Sequence, residues 1–263
     1  MDKMKQTRKL GKIRTALVGL AALAGSFVAG CGSTGRMFEP SVYVDTTFVS
    51  DYVARHGAAI RGQQRQDLVN VNVNDRLSMF MWQNYSHKEG EFNERDFGLS
   101  YTLPLPKELT KAGLSARVGY EYWNYPTGTL GKDDQVLKAG VGYGGSVNLD
   151  LDVTQLMKHD DVPNGTRFAL KASKPITLYE DKDKKFALSL TPSVSTAITD
   201  NYYGKTMAFP HVTPGINFGV TKKIGKATFG AGLFVNHQFA LPEGKKNGIE
   251  SFTWGGIGLN FAW

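Results

Sequence analysis

The chain has 263 residues, 41% hydrophobic and 21% charged, with 30 glycines, 11 tyrosines, one cysteine and a formal charge of +7. Six basic groups and one acid, Asp2, fall in residues 1–30; that stretch accounts for +5 and leaves +2 for the rest of the chain. So small a balance gives no support to nucleic-acid binding, and a single cysteine excludes both a disulfide framework and a thiolate metal site.

Residues 1–30 read as an export signal. Lys3, Lys5, Arg8, Lys9, Lys12 and Arg14 form a basic region, and TALVGLAALAGSFVAG follows as an apolar, small-residue stretch too short for a permanent spanning helix. The stretch ends at Val28-Ala29-Gly30-Cys31, which resembles a bacterial lipoprotein box. That resemblance implies acylation of Cys31 as the mature N-terminus; the alternative is ordinary signal-peptidase cleavage. Gly32, rather than Asp, next to the cysteine favours the outer membrane over inner-membrane retention. Residues 31–40 form a short tether, and no later apolar run is long enough for a membrane helix.

From residue 41 onward the dominant signal is a period of two, which places alternate side chains on opposite faces of a strand. Residues 41–50 give a first strand, followed by a long loop that includes Arg55, His56 and Arg61. Val69, Val71 and Val73 alternate with asparagines; after Asn74-Asp75-Arg76, Leu77, Met79 and Met81 alternate in matching phase, as in a hairpin. Similar runs begin at Phe97, Leu114, Leu137, Val147, Phe168, Phe186, Val212 and Thr228. Pro192 and Pro214 each remove a ladder donor, which predicts a bulge or an early strand position at each.

The last strand ends on Ile257, Leu259, Phe261 and Trp263, with Gly256, Gly258, Asn260 and Ala262 between them. This pattern resembles the closing strand of bacterial outer-membrane barrels, where it is the assembly signal. The count is twelve strands. Twelve strands predict an all-β, antiparallel, up-and-down transmembrane barrel over 41–263, in a Gram-negative outer membrane with both ends periplasmic. Turns at 74–76, 103–112, 144–146, 175–184 and 222–225 are then periplasmic. Aromatic girdles are expected at Tyr85, Tyr122, Tyr202, Tyr203 and Trp254 on the outside, and at Tyr101, Tyr143, Phe186, Phe261 and Trp263 below.

The segments FVSDYVARHGAAIRGQQ (48–64), VGYEYWNYP (118–126) and LKAGVGYG resemble the TorF-family porins, small proteobacterial outer-membrane proteins with a comparable VSDY…RG segment and a Tyr-rich strand ending in Tyr-Pro. Membership would imply a barrel and a channel with no named substrate.

A barrel enzyme of phospholipase type would need a serine, a histidine and an orienting Asn or Asp near the outer rim. His56, His87, His159, His211 and His237 all fall in expected outer loops or strand ends, and none is in an H-x-S arrangement. The pair Ser86-His87 would diverge on an extended strand, and 159–161 (HDD) read as loop charge. No catalytic residue, metal or cofactor is therefore expected.

If Val69, Leu114, Leu137, Leu149 and Phe168 meet lipid, then Arg117, Glu121, Lys138, Asp150, Asp152, Arg167 and Lys171 must face the lumen. With a three-residue turn at 144–146, Lys138 lies opposite Asp152, and with a loop at 157–164, Asp150 lies opposite Lys171. Arg117 and Arg167 are then left unpaired and give the lumen an anion-favouring bias. The expected function is passive diffusion of small polar or charged solutes; the competing reading is an interaction barrel with a plugged lumen. Partners would be outer-membrane lipid and the barrel-assembly machinery.

Overall fold

The computed structural model describes residues 40–53, 59–127, 133–157, 164–202 and 204–263. The leader, Cys31, the tether, Arg55, His56, the 159–161 acidic loop and Tyr203 lie outside these residues. The described residues form thirteen strands: β1 (Ser41–Val53), β2 (Ala59–Asn72), β3 (Leu77–Ser86), β4 (Glu91–Thr102), β5 (Leu114–Asn124), β6 (Asp134–Tyr143), β7 (Asn148–Leu156), β8 (Gly165–Ser173), β9 (Ile176–Glu180), β10 (Phe186–Tyr202), β11 (Lys205–Ile224), β12 (Ala227–Ala240) and β13 (Phe252–Ala262). Two short helices, α1 (Lys107–Lys111) and α2 (Pro242–Lys246), sit in connections.

Each strand runs antiparallel to its neighbours, and β13 returns to β1 through pairs from Tyr43↔Ala262 to Val49↔Gly256. Strands β8 and β9 both pair with β10, Ser173 opposite Ser193 and Ile176 opposite Leu190, so they form one broken stave. The result is a closed, twelve-stranded transmembrane barrel. Two prolines explain the break. Pro175 and Pro192 both lack an N–H in the stretch between those paired residues, and what remains is the single bond from Lys174 N to Pro192 O at 3.0 Å. Pro214 stands opposite Val194 in regular register, while its pairing to β12 lapses between Val212 and Gly215.

Two expected loops are strand instead. β2 starts at Ala59, ten residues before the alternation becomes visible at Val69. The reason is that its outward positions there are Arg65 and Asp67, so polar residues occupy both faces and the period is masked. The stretch 176–180, expected in a turn, extends the broken stave, and the turn itself is 181–185.

Facing pairs fix the outside. Val44, Val69, Met81, Phe97 and Tyr122 align across β1–β5, and Phe186, Lys222, Phe229 and Phe261 across β10–β13. Outward residues such as Leu137, Leu170, Leu233 and Leu259 are about half exposed, at 48%, 48%, 53% and 54%. An apolar surface that extensive belongs in lipid. Its height is uneven. On β3 it comprises Leu77, Met79 and Met81 before Gln83 follows, whereas on β10 it runs from Phe186 to Ile198. Above the short part, outward Asp67 accepts hydrogen bonds from Thr46, Arg65 and Gln83 at 3.0–3.1 Å. Phe261, Leu259 and Ile257 stand on the outer face of β13, and Trp263 closes the seam by exchanging two 2.9 Å backbone bonds with Val42.

Candidate functional site

The lumen divides into two halves. The terminal rim is the one where β1 begins and β13 ends. Just inside it, a hollow of about 230 Å³ is lined by Tyr43, Asp45, Thr47, Asn217, Thr221 and Asn260. Inward positions on β12 and β13 include Gly230, Gly232, Gly256 and Gly258, which contribute no side chain to fill the space beside Phe234 and Asn260. Asp45 accepts from Thr47 Oγ1 at 2.7 Å and from Tyr43 at 3.4 Å, so the acidic group is held against this wall.

The opposite wall of the same half carries charge. Arg117, Gly140 and Asp152 lie in register on β5, β6 and β7. Arg117 Nη2 reaches across the glycine to donate to Asp152 Oδ1 at 2.5 Å, and Nη1 lies 3.9 Å from Asp150 Oδ1. A Cβ on Gly140 would sit 2.6 Å from Asp152 Oδ1 and 2.9 Å from Arg117 Nε, so the missing side chain is what lets the bridge form. These side chains are 34–40% exposed, so water screens them and the bridge contributes no more than about 1 kcal/mol.

Toward the far rim the lumen is filled. Trp123, Tyr125, Val136, Leu156 and Tyr202 form an apolar cluster inside the barrel. Beside them Gln64, Asn84, Glu94, Asp96, Asp134, Thr199 and Gln238 are 2% exposed or less. These residues come from β2 to β7, β10 and β12, and a lumen open to water at this level would leave them wet. Several of their polar atoms find partners within this half. Tyr52 donates to Glu94 at 2.7 Å, Asn84 to Gln64 at 3.0 Å and to Asn93 at 2.8 Å, and Tyr125 to Asp134 at 3.3 Å.

Glu121 joins the halves. Its Oε1 lies 2.8 Å from Lys138 Nζ, and its Oε2 accepts from Trp123 Nε1 at 2.7 Å. A charge from the hollow half is thereby tied to the largest side chain of the packed half.

All seven expected lumen residues occupy the face opposite the apolar belt, but two of the expected relations change. The last pair joining β6 to β7 is Tyr143↔Leu149, so five residues, 144–148, lie between the paired ends instead of three, which shifts the register by two. Lys138 therefore stands opposite Thr154, not Asp152, and pairs with Glu121 instead; Asp150 does face Lys171. Nor is Arg117 unpaired, since it holds Asp152. Arg167, between Thr154 and Thr199 in the packed half, is not free either. Tyr202 points inward and is fully buried, and Trp254 faces Asn236 on the inner wall, so neither belongs to an outer girdle.

The packed half was missed in the sequence. One signal was present: inward-facing Val136 and Leu156 continue the alternation of their strands with apolar residues where polar ones are expected. The described histidines are dispersed. His87 stands edge-on to Tyr85, His237 bonds Thr253 at 2.7 Å on the outer surface, and His211 is buried on the inner face. Among the described residues, no three His, Cys, Asp or Glu are grouped to hold a metal ion.

No family model matches the chain, and no curated protein does. Among solved structures it is similar to the KdgM porin, at 9% identity over 83% of this chain and 97% of that one, with a TM-score of 0.49. The NanC porin is similar at 8% identity, 84% and 98% coverage and a TM-score of 0.47. An outer membrane channel from Pseudomonas putida F1 is similar at 10% identity, 89% and 97% coverage and a TM-score of 0.46.

Proposed function

We propose that this protein is a non-enzymatic outer-membrane channel of low conductance for small polar or charged solutes, with its termini in the periplasm. The observation that carries the reading is the hollow half of the lumen. Polar side chains, charges of both signs and inward glycines keep a solvated space inside a closed barrel, and a pore needs such a lining. The packed half then acts as the constriction. The TorF resemblance of 48–64 and 118–126 supports the same class. Anchoring through an acylated Cys31 completes the proposal, and intact mass showing an unmodified thiol there would remove it.

A second reading, an interaction barrel plugged by its own side chains, is favoured by the near-zero exposure of Trp123, Leu156, Tyr202, Gln64 and Gln238. Planar-bilayer recording separates the two. A channel shows small, discrete conductance steps that grow when the constriction is trimmed; a plugged barrel is silent both before and after trimming.

A further inference from the structure

We propose that the terminal rim of β9–β12 is a binding surface for anionic phospholipid headgroups. The proposal rests on the transmembrane reading and not on conduction. It starts from Lys222, the one lysine in the outward row Phe186, Lys222, Phe229 and Phe261. A lysine on the lipid face is strongly unfavourable near the midplane and nearly neutral at the interface, so this row marks the headgroup plane. Rings stand on both sides of it, with Tyr179 6.1 Å from Phe186 and Phe229 5.0 Å from Phe261, as in an interfacial aromatic belt.

Just beyond that row the turn 181–185, the end of β11 and the turn 225–226 carry Lys182, Lys184, Lys185, Lys223 and Lys226. Lys223 N donates to Lys185 O at 2.6 Å, which holds the turns side by side. With Lys222 there are six lysines, against Glu180, Asp181 and Asp183, a net +3. Asp181 is also occupied, its Oδ1 accepting from the backbone of Lys185 and Phe186 at 2.6 and 3.0 Å. The other turns at this rim differ. Residues 73–76 hold one acid and one base, 144–147 hold no charge, and 103–113 hold Lys107, Lys111 and Glu108.

The largest net positive charge of these turns is thus gathered in one arc, directly under an apolar wall that includes Tyr179, Ile224 and Phe229 at 53%, 58% and 45% exposure. An ammonium set between rings on the lipid face is approached from the membrane. The negatively charged group that meets it there is a phospholipid phosphate, and the flanking turns add attraction at the same depth.

The test is titration of the purified full chain in detergent with short-chain phosphatidylglycerol or phosphatidylcholine, read by native mass spectrometry. The wild type should retain phosphatidylglycerol several-fold better, and raised salt should weaken the preference. Lys182→Gln, Lys222→Gln and Lys223→Gln combined should abolish it, while Lys107→Gln with Lys111→Gln should leave it intact. Heat-modifiable mobility on gels confirms that each variant is folded. Equal retention of the two lipids, or a preference that survives the triple substitution, overturns the proposal. Displacement by inorganic phosphate alone would also overturn it, by making this a small-anion site.

Discussion

The two halves of the lumen grow from the same strands and the same alternation, yet one is hollow and the other closed. In the terminal half, inward positions are mostly Gly, Ser, Thr, Asn and charged residues, with Tyr43 and Phe234 in its wall, and Arg117 finds its partner two staves away on β7. In the far half they are Trp123, Val136, Leu156 and Tyr202, with amides and carboxylates that bond one another. A barrel of fixed strand number can therefore be open or filled according to side-chain volume alone, and the backbone does not decide whether it conducts.

The comparison breaks most decisively at Trp123. Trp123→Ala should remove about 3–5 kcal/mol of stability by leaving a cavity in the packed half and should raise single-channel conductance. Urea unfolding and planar-bilayer recording check the two effects, and an unchanged conductance would mean that this ring is not the constriction. Next is the link between halves. Glu121→Ala leaves Lys138 and the Trp123 indole without their shared acceptor and should cost about 1–3 kcal/mol in the same unfolding assay. Glu121→Gln should cost less, because an amide oxygen can still accept from the indole.

The hollow half responds in the opposite way. Gly232→Leu and Gly258→Leu point side chains into the empty space and should slow solute entry in liposome swelling, with stability altered by no more than about 1 kcal/mol. Equal swelling rates would show that solute does not pass this wall. The smallest stability effect belongs to Arg117→Ala, about 0–1 kcal/mol for a wet bridge. Its reversal potential should nevertheless move toward cations, because Asp150 and Asp152 lose their counter-ion.

The fold was legible because lipid demands a strict outer face. Rows such as Leu114–Ala116–Val118–Tyr120 and Ile257–Leu259–Phe261 show it plainly. It became illegible where that demand lapses, as at Arg65 and Asp67 on β2, whose outward polar residues hide the period. The inward direction of all seven charged residues could be read the same way, but their partners could not. A two-residue change in the connection after Tyr143 moves Lys138 from Asp152 to Thr154 without moving any side chain to the other face. The closed half was hidden for a different reason. Inward Val136 and Leu156 interrupt the polar face of their strands, but only their neighbours across the lumen reveal that they are packed.

The uneven apolar belt has a consequence for the bilayer itself. Leu77 to Met81 on β3 provides a hydrophobic height of about 10 Å along the membrane normal, and Phe186 to Ile198 on β10 about 30 Å, given ordinary strand rise and tilt. No membrane of uniform thickness matches both walls. The acyl chains must therefore thin beside β2–β4, or the barrel must lean until its tall wall is accommodated. In either case the protein imposes a direction on the lipid around it, a polarity in the membrane plane that a cylinder with an even belt would lack.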